Sequence, residues 1–263
     1  MKPEWVEREL LDFGVHITNG PMTSDRTLAA LFSEASIRRL LEAEKEAMHA
    51  PNIAVAASMF SKRYAYLAVS STLYLMTMYD AVYRFSPEAC VFREDRKIEL
   101  DETLCSFVQL EGDRHEWREQ VVRMLFTQCV TPLLDVLKRT SRLPYSILWE
   151  NVAVRINSLY RSMMRETEEP KMKERVREDY LFLKKASGDL FGAKQNPFQH
   201  SLNLDESLLD TSNRKTCCMY YKLEKKSESL DYCLVCPLEK RKALLVHSSA
   251  SLFYSQISLT HSG

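Results

Sequence analysis

Four of the chain's seven cysteines lie in one stretch, "RKTCCMYYKLEKKSESLDYCLVCP" at residues 214–237. Cys217 and Cys218 are adjacent, and Cys233 and Cys236 enclose two residues. Four thiols held this close oxidise and scramble unless something occupies them, and the candidates are an iron–sulfur cluster, zinc or disulfides. Thiolate sulfur is the soft donor that suits zinc and iron–sulfur clusters. The two-residue spacer of "CLVC" lets one turn of backbone aim both sulfurs at one metal or one cluster face. The fourteen residues between Cys218 and Cys233 reach roughly 45 Å when extended, so the two halves fold back on each other with ease. Neighbouring side chains diverge, which makes an adjacent pair awkward for one small ion. Zinc knuckles use C-x₂₋₄-C in both halves, whereas a diiron cluster offers a larger target with four outer thiolate positions. Residue types and spacing favour iron–sulfur over zinc and leave a redox disulfide open.

Other chemistries lack their residues. Only six glycines occur among 263 residues, in neither G-x-G-x-x-G nor G-x-x-x-x-G-K-[ST] spacing, which argues against a nucleotide-phosphate cradle. His115-Glu116 does not continue to H-E-x-x-H, because Glu119 stands where the second histidine belongs. Cys90, Cys105 and Cys129 sit singly in apolar surroundings and read as small buried hydrophobes. Net charge is zero at a pI near 7, so nothing global selects nucleic acid or an anionic membrane as a partner.

The elements that must position the cysteines read as mainly helical. From Asp25, a good N-cap, Leu28, Leu31, Phe32, Ile37, Leu40, Leu41 and Met48 follow helical spacing. A second long helix is expected over 55–79, rich in aromatics that read as core. "CVFR" and "KIEL" flank the charged "EDR" and predict a small β-hairpin. Helices resume from His115, are kinked or restarted at Pro132, begin again at Pro144, and continue from Lys171 to near Gly188. The expected division is a helical domain over 1–192, a linker over 193–213, a cysteine segment over 214–243 and a Ser-rich tail over 244–263. The first ten residues, with three acids and two bases, do not read as a signal peptide. The uncharged stretch 64–79 reads as a buried helix rather than a membrane span. The expected compartment is the cytoplasm, where clustered cysteines more often bind metal than form disulfides.

The run "RKTCCMYY…YCLVCP" resembles the C-terminal signature of the FhuF-like ferric siderophore reductase family. Upstream landmarks agree in order: "MFSKRYAYLAVSSTLYLMTMYD" (59–80), "LPYSILWENVAVRI" (143–156) and "NPF" (196–198). The resemblance implies that Cys217, Cys218, Cys233 and Cys236 ligate a 2Fe–2S cluster, on a helical fold akin to part of the hydroxamate/citrate siderophore synthetases. The spacer between the cysteine pairs is longer here than in the family pattern. The implied activity is one-electron reduction of chelated Fe(III), releasing Fe(II). The implied partners are a ferric siderophore of hydroxamate or citrate type, an external electron donor protein, and transiently a membrane importer. A zinc-stabilised binding module and an iron–sulfur carrier or sensor that never meets siderophores are the alternatives. Arg63, Tyr64, Trp149, Asn151 and Arg155 fall within the landmarks and are candidate cleft residues. Between Arg214 and Lys242 eight Lys/Arg face four acids. Arg214, Lys215 and Lys222 are candidates for electrostatic support of a cluster or an anionic chelate.

Overall fold

Capping side chains start three of the described α-helices, and apolar side chains set what the helices cover. The computed structural model describes residues 3–19, 25–210, 213–223 and 232–239. Helix α1 (Glu4–Asp12) buries Val6 and Leu10 and leads into strand β1 (Val15–Thr18). The apolar periodicity after Asp25 divides in two. Thr27, not Asp25, caps the short α2 (Leu28–Leu31), its Oγ1 accepting from the Ala30 amide at 3.2 Å. A break at Phe32 and Ser33 then precedes α3 (Glu34–Ala47). Asn52 caps α4 (Ile53–Tyr64) through the Val55 amide at 3.1 Å.

A π-helical turn, Ala65–Ser70, carries α4 into α5 (Ser71–Tyr79), so the expected long helix is continuous but locally widened. Asp80 ends it in the left-handed region at φ 47°. Strands β2 (Ala81–Phe85), β3 (Cys90–Phe92), β4 (Ile98–Asp101) and β5 (Cys105–Gln109) follow. β3 and β4 form the expected hairpin, with Phe92 opposite Ile98. The sheet is larger than that hairpin: β1 adds to β4 in parallel, Val15 beside Ile98, and β2 pairs separately with β5 in antiparallel.

Asp113 caps α6 (Arg114–Met124), and a second π turn, Leu125–Val130, leads into α7 (Thr131–Ser141) with Pro132 in its first turn. The long α8 (Tyr145–Glu166) and α9 (Pro170–Lys185) complete the helical body. Phe126, Phe191 and Phe198 meet edge to face at 5.0–5.5 Å, with Trp149 against Phe198 at 5.4 Å. The "NPF" landmark thereby has two tasks. Asn196 Nδ2 donates to the carbonyls of Leu183 and Ala186 at the end of α9, and Phe198 is fully buried in the aromatic cluster. Residues 193–210 run over the helices with Leu202, Leu204 and Leu208 buried. Tyr180 Oη accepts the Leu204 amide at 2.9 Å and donates to Asn157 Oδ1 at 2.9 Å, fixing that path.

Candidate metal and substrate site

The cysteine segment rests on polar side chains that α4 and α8 present from otherwise apolar surfaces. Ser58 Oγ donates to the Cys218 carbonyl at 2.9 Å. Asn151 Nδ2 donates to Ser58 and Ser61, and its Oδ1 accepts from Arg214 Nη1 at 2.9 Å. Glu150, 5 % exposed, accepts the amides of Lys215 at 2.5 Å and Thr216 at 2.7 Å, together with the Thr216 hydroxyl. The Arg214 guanidinium, 3 % exposed, lies 3.4 Å from the same carboxylate. The two cysteine pairs are then tied to each other. Arg214 N–H donates to the Val235 carbonyl at 3.1 Å, and Asn213 Nδ2 donates to the Cys236 carbonyl at 2.9 Å. A tight turn joins Cys236 N–H to the Cys233 carbonyl at 2.9 Å.

The two cysteine pairs are thus held in one region, and one thiol of each pair meets the other. Cys218 and Cys236 are buried, and Cys217 and Cys233 half-buried. The sulfurs of Cys218 and Cys233 are 3.6 Å apart, and the Met219 amide donates to Cys217 Sγ at 3.3 Å. Contact with Cys233 lowers the Cys218 thiol to about 5, helped by the charges of Lys62 and Arg214 and opposed by burial. The same contact, with burial, pushes Cys233 above the ordinary thiol range. One proton shared by two touching sulfurs, beside cations, produces this split. Burial raises Cys217 as well, against the Met219 amide. Among the described residues no three Cys, His, Asp or Glu side chains converge closely enough to hold a single metal ion. The donor type, amide-to-sulfur hydrogen bond and flanking cations fit a thiolate-ligated cluster.

Two basins open beside the thiols. One, of about 330 Å³, is lined by Cys233, Lys62, Arg155, Arg161, Arg214 and Tyr232 among others. The second, a groove of about 1020 Å³, runs from Met48 and Met59 past Arg63 and Arg96. Lys62, Arg155 and Tyr220 line both. Arg155 Nε donates to the Lys62 carbonyl at 3.2 Å, and Arg63 Nε to the Arg96 carbonyl at 2.8 Å. Their guanidinium carbons stand 5.6 and 5.5 Å from the Tyr66 ring centre, within cation–π range.

The sequence-derived candidates therefore separate by place. Arg155 lines both basins and Arg63 the groove. Asn151, completely buried, supports the cysteine segment from beneath. Tyr64 is in the core, its hydroxyl 3.4 Å from the Cys129 carbonyl, and Trp149 belongs to the Phe126–Phe198 aromatic cluster. Arg214 faces inward, whereas the side chains of Lys215 and Lys222 are exposed. The remaining charges counted around the cysteines, at 224–231 and 240–242, and the Ser-rich tail lie outside the described residues. Sequence reading passed over Lys62, Glu150, Arg161 and Ser58. A polar stripe at helical spacing marks the supporting faces, Ser58, Ser61 and Lys62 on α4 and Asn151, Arg155 and Ser158 on α8, but Glu150 and Arg161 lie outside it.

A helical body carries grouped thiols, one of them on the wall of a cationic basin. Residues 58–210, more than half of the chain, match the family model described as ferric iron reductase FhuF-like transporter, and the chain belongs to that family. No individual curated protein matches it. The matched span ends before the four cysteines, whose grouping is a separate observation. Family membership supports a role of the ferric siderophore reductase type. No described helix is long and apolar enough to cross a membrane.

Proposed function

We propose that the chain is a cytoplasmic ferric siderophore reductase, with Cys217, Cys218, Cys233 and Cys236 holding a 2Fe–2S cluster beside the bound chelate. The observation that carries this reading is the grouping of two cysteine pairs, with Cys233 on the wall of a cationic basin, in a member of this family. When bound, such a cluster supplies a one-electron couple, recharged by an external donor protein and matched to the single electron that converts Fe(III) to Fe(II).

The residues of the chain do the rest. Glu150 and Asn151 fix the first cysteine pair to α8 through backbone and Arg214 hydrogen bonds. Lys62 and Arg214 offset thiolate charge, and the Met219 amide stabilises charge on Cys217. Lys62 and Arg155 also line the basins where a chelate would lie next to Cys233. Siderophores hold Fe(III) in hard oxygen donors, and Fe(II), larger and softer, leaves the same donors readily. A membrane importer that delivers the chelate completes this reading.

The test is the visible absorption and iron content of anaerobically purified protein beside Cys233→Ser and Cys236→Ser variants. A brown protein with about two irons per chain, bleached by either substitution, is expected. Its reduced form should then generate Fe(II), trapped by a ferrous-specific chromogenic chelator, from added ferric siderophore. A colourless protein carrying one zinc would sink the reading, and a brown one inert toward ferric chelates would leave an electron carrier or sensor.

A further inference from the structure

Cations outnumber carboxylates on the walls of both basins. Glu150 is engaged with two amides and Arg214. Asp95, the acid on the groove wall, pairs with Arg93 and Lys97 at 3.4 and 3.9 Å. Lys62, Arg155 and Arg161, by contrast, have no carboxylate partner among the described residues. Lys62 and Arg155 are only partly exposed, with the thiols of Cys218 and Cys233 as nearby acidic groups, and partly buried cations short of carboxylates are costly to fold unless a ligand supplies further negative charge. Both are held in position: Arg155 by the Lys62 carbonyl and the Tyr66 ring, and Lys62 with its ammonium 6.0 Å from the Tyr220 ring centre. The surrounding groups at Asn157, Ser158 and Asn203 are neutral and polar. The basin volumes lie in the range of small-molecule sites, about 300–1,000 Å³.

Resting on the reductase reading, we infer that the substrate is a ferric chelate with net negative charge, bearing a free carboxylate that binds across Lys62 and Arg155. A planar guanidinium next to an ammonium suits a carboxylate better than a neutral hydroxamate oxygen. Lys62 and Arg155 line both basins, so a carboxylate held on them sits between the larger groove, which admits the body of the chelate, and the smaller basin, where Cys233 lies.

Gallium(III) takes the place of Fe(III) in such chelates but accepts no electron, so binding can be separated from reduction. Calorimetry on the full-length holoprotein would compare the gallium complex of a citrate-based dihydroxamate whose hydroxamate arms carry additional, uncoordinated carboxylates with that of an uncharged trihydroxamate. The anionic complex should bind at least tenfold tighter, and raised salt should weaken only that complex. Lys62→Met and Arg155→Gln should each lose about tenfold toward the anionic complex alone, and Lys62→Arg should restore most of it. Equal or tighter binding of the uncharged complex would overturn the inference. So would binding of neither complex, or equal losses toward both in variants whose melting matches wild type. Selective gallium binding by a protein that reduces no ferric chelate would instead overturn the reductase reading and leave the anion site standing.

Discussion

Ser58 and Cys218 are 160 residues apart, yet the Ser58 hydroxyl donates to the Cys218 carbonyl at 2.9 Å in the buried interior. One turn further along α4 stands Lys62, on the wall of both basins. One helix therefore carries a support of the thiol segment and a cation of both basins. In the proposed function, substrate and thiols would be positioned by the same rigid element, which favours a fixed spacing between them.

Glu150 is the main anchor of the cysteine segment, and its replacement should be felt there first. Glu150→Gln retains one acceptor oxygen for two amides and leaves Arg214 buried without its counter-charge. The expected loss is about 3–5 kcal/mol in chemical denaturation. Adding Arg214→Met to that variant should recover part of it. A double variant as costly as the sum of the singles would show that the pair does not act as a unit.

A second buried charge lies far from the thiols and offers the contrast. Asp179, completely buried, binds Arg114 through two contacts of 2.8 Å and Arg118 at 2.7 Å. Asp179→Asn should destabilise by about 3–5 kcal/mol while leaving iron content and chelate reduction of the folded fraction unchanged. A change in chelate preference at equal folding would place this network in the site after all.

Glu44 provides a pH signature. Burial raises its pKa above the usual 4.5, against the pull of Arg96 and Arg26. Its oxygen is 3.2 Å from Arg96 Nε, but neither atom completes a hydrogen bond. The folded state thus holds this proton more tightly than the unfolded one. The stabilising effect is full below the unfolded pKa and is lost as pH rises through the folded value. Relative to Glu44→Gln, wild type should gain in urea midpoint as pH falls from 7 toward 4.5. The opposite slope would mean that the Arg96 attraction outweighs burial.

The long helices and the hairpin were legible because their signals are local: apolar spacing over 55–79, and two β-prone runs around "EDR". The parallel β1–β4 pairing was not, since Val15 and Ile98 meet across 83 residues and parallel pairing leaves no turn to read. The π turns were also hidden, because one widened turn barely disturbs a helical pattern. At the site the cysteines announced themselves by type and spacing. Lys62 and Arg161 did not, because a charged residue in a helix reads as solvated until the partner surface is known. Tyr64 and Trp149 show the converse: an aromatic within a landmark is as well suited to a core as to a cleft.

The path of residues 193–210 has a consequence for how the molecule is made. The side chains that hydrogen-bond the described cysteine segment from the helical body, Ser58, Glu150 and Asn151, belong to helices synthesised before it, and Phe198 anchors the intervening chain in their aromatic core. Since chains fold from the N-terminus as they emerge, the receiving surface is finished before the last thiol leaves the ribosome. If the thiols hold the proposed cluster, its loading is a docking event on a standing scaffold, unlike a zinc finger, which the metal itself must fold. Stripping the thiols of their cargo should cost colour and activity, while the helical body keeps its shape and waits to be reloaded.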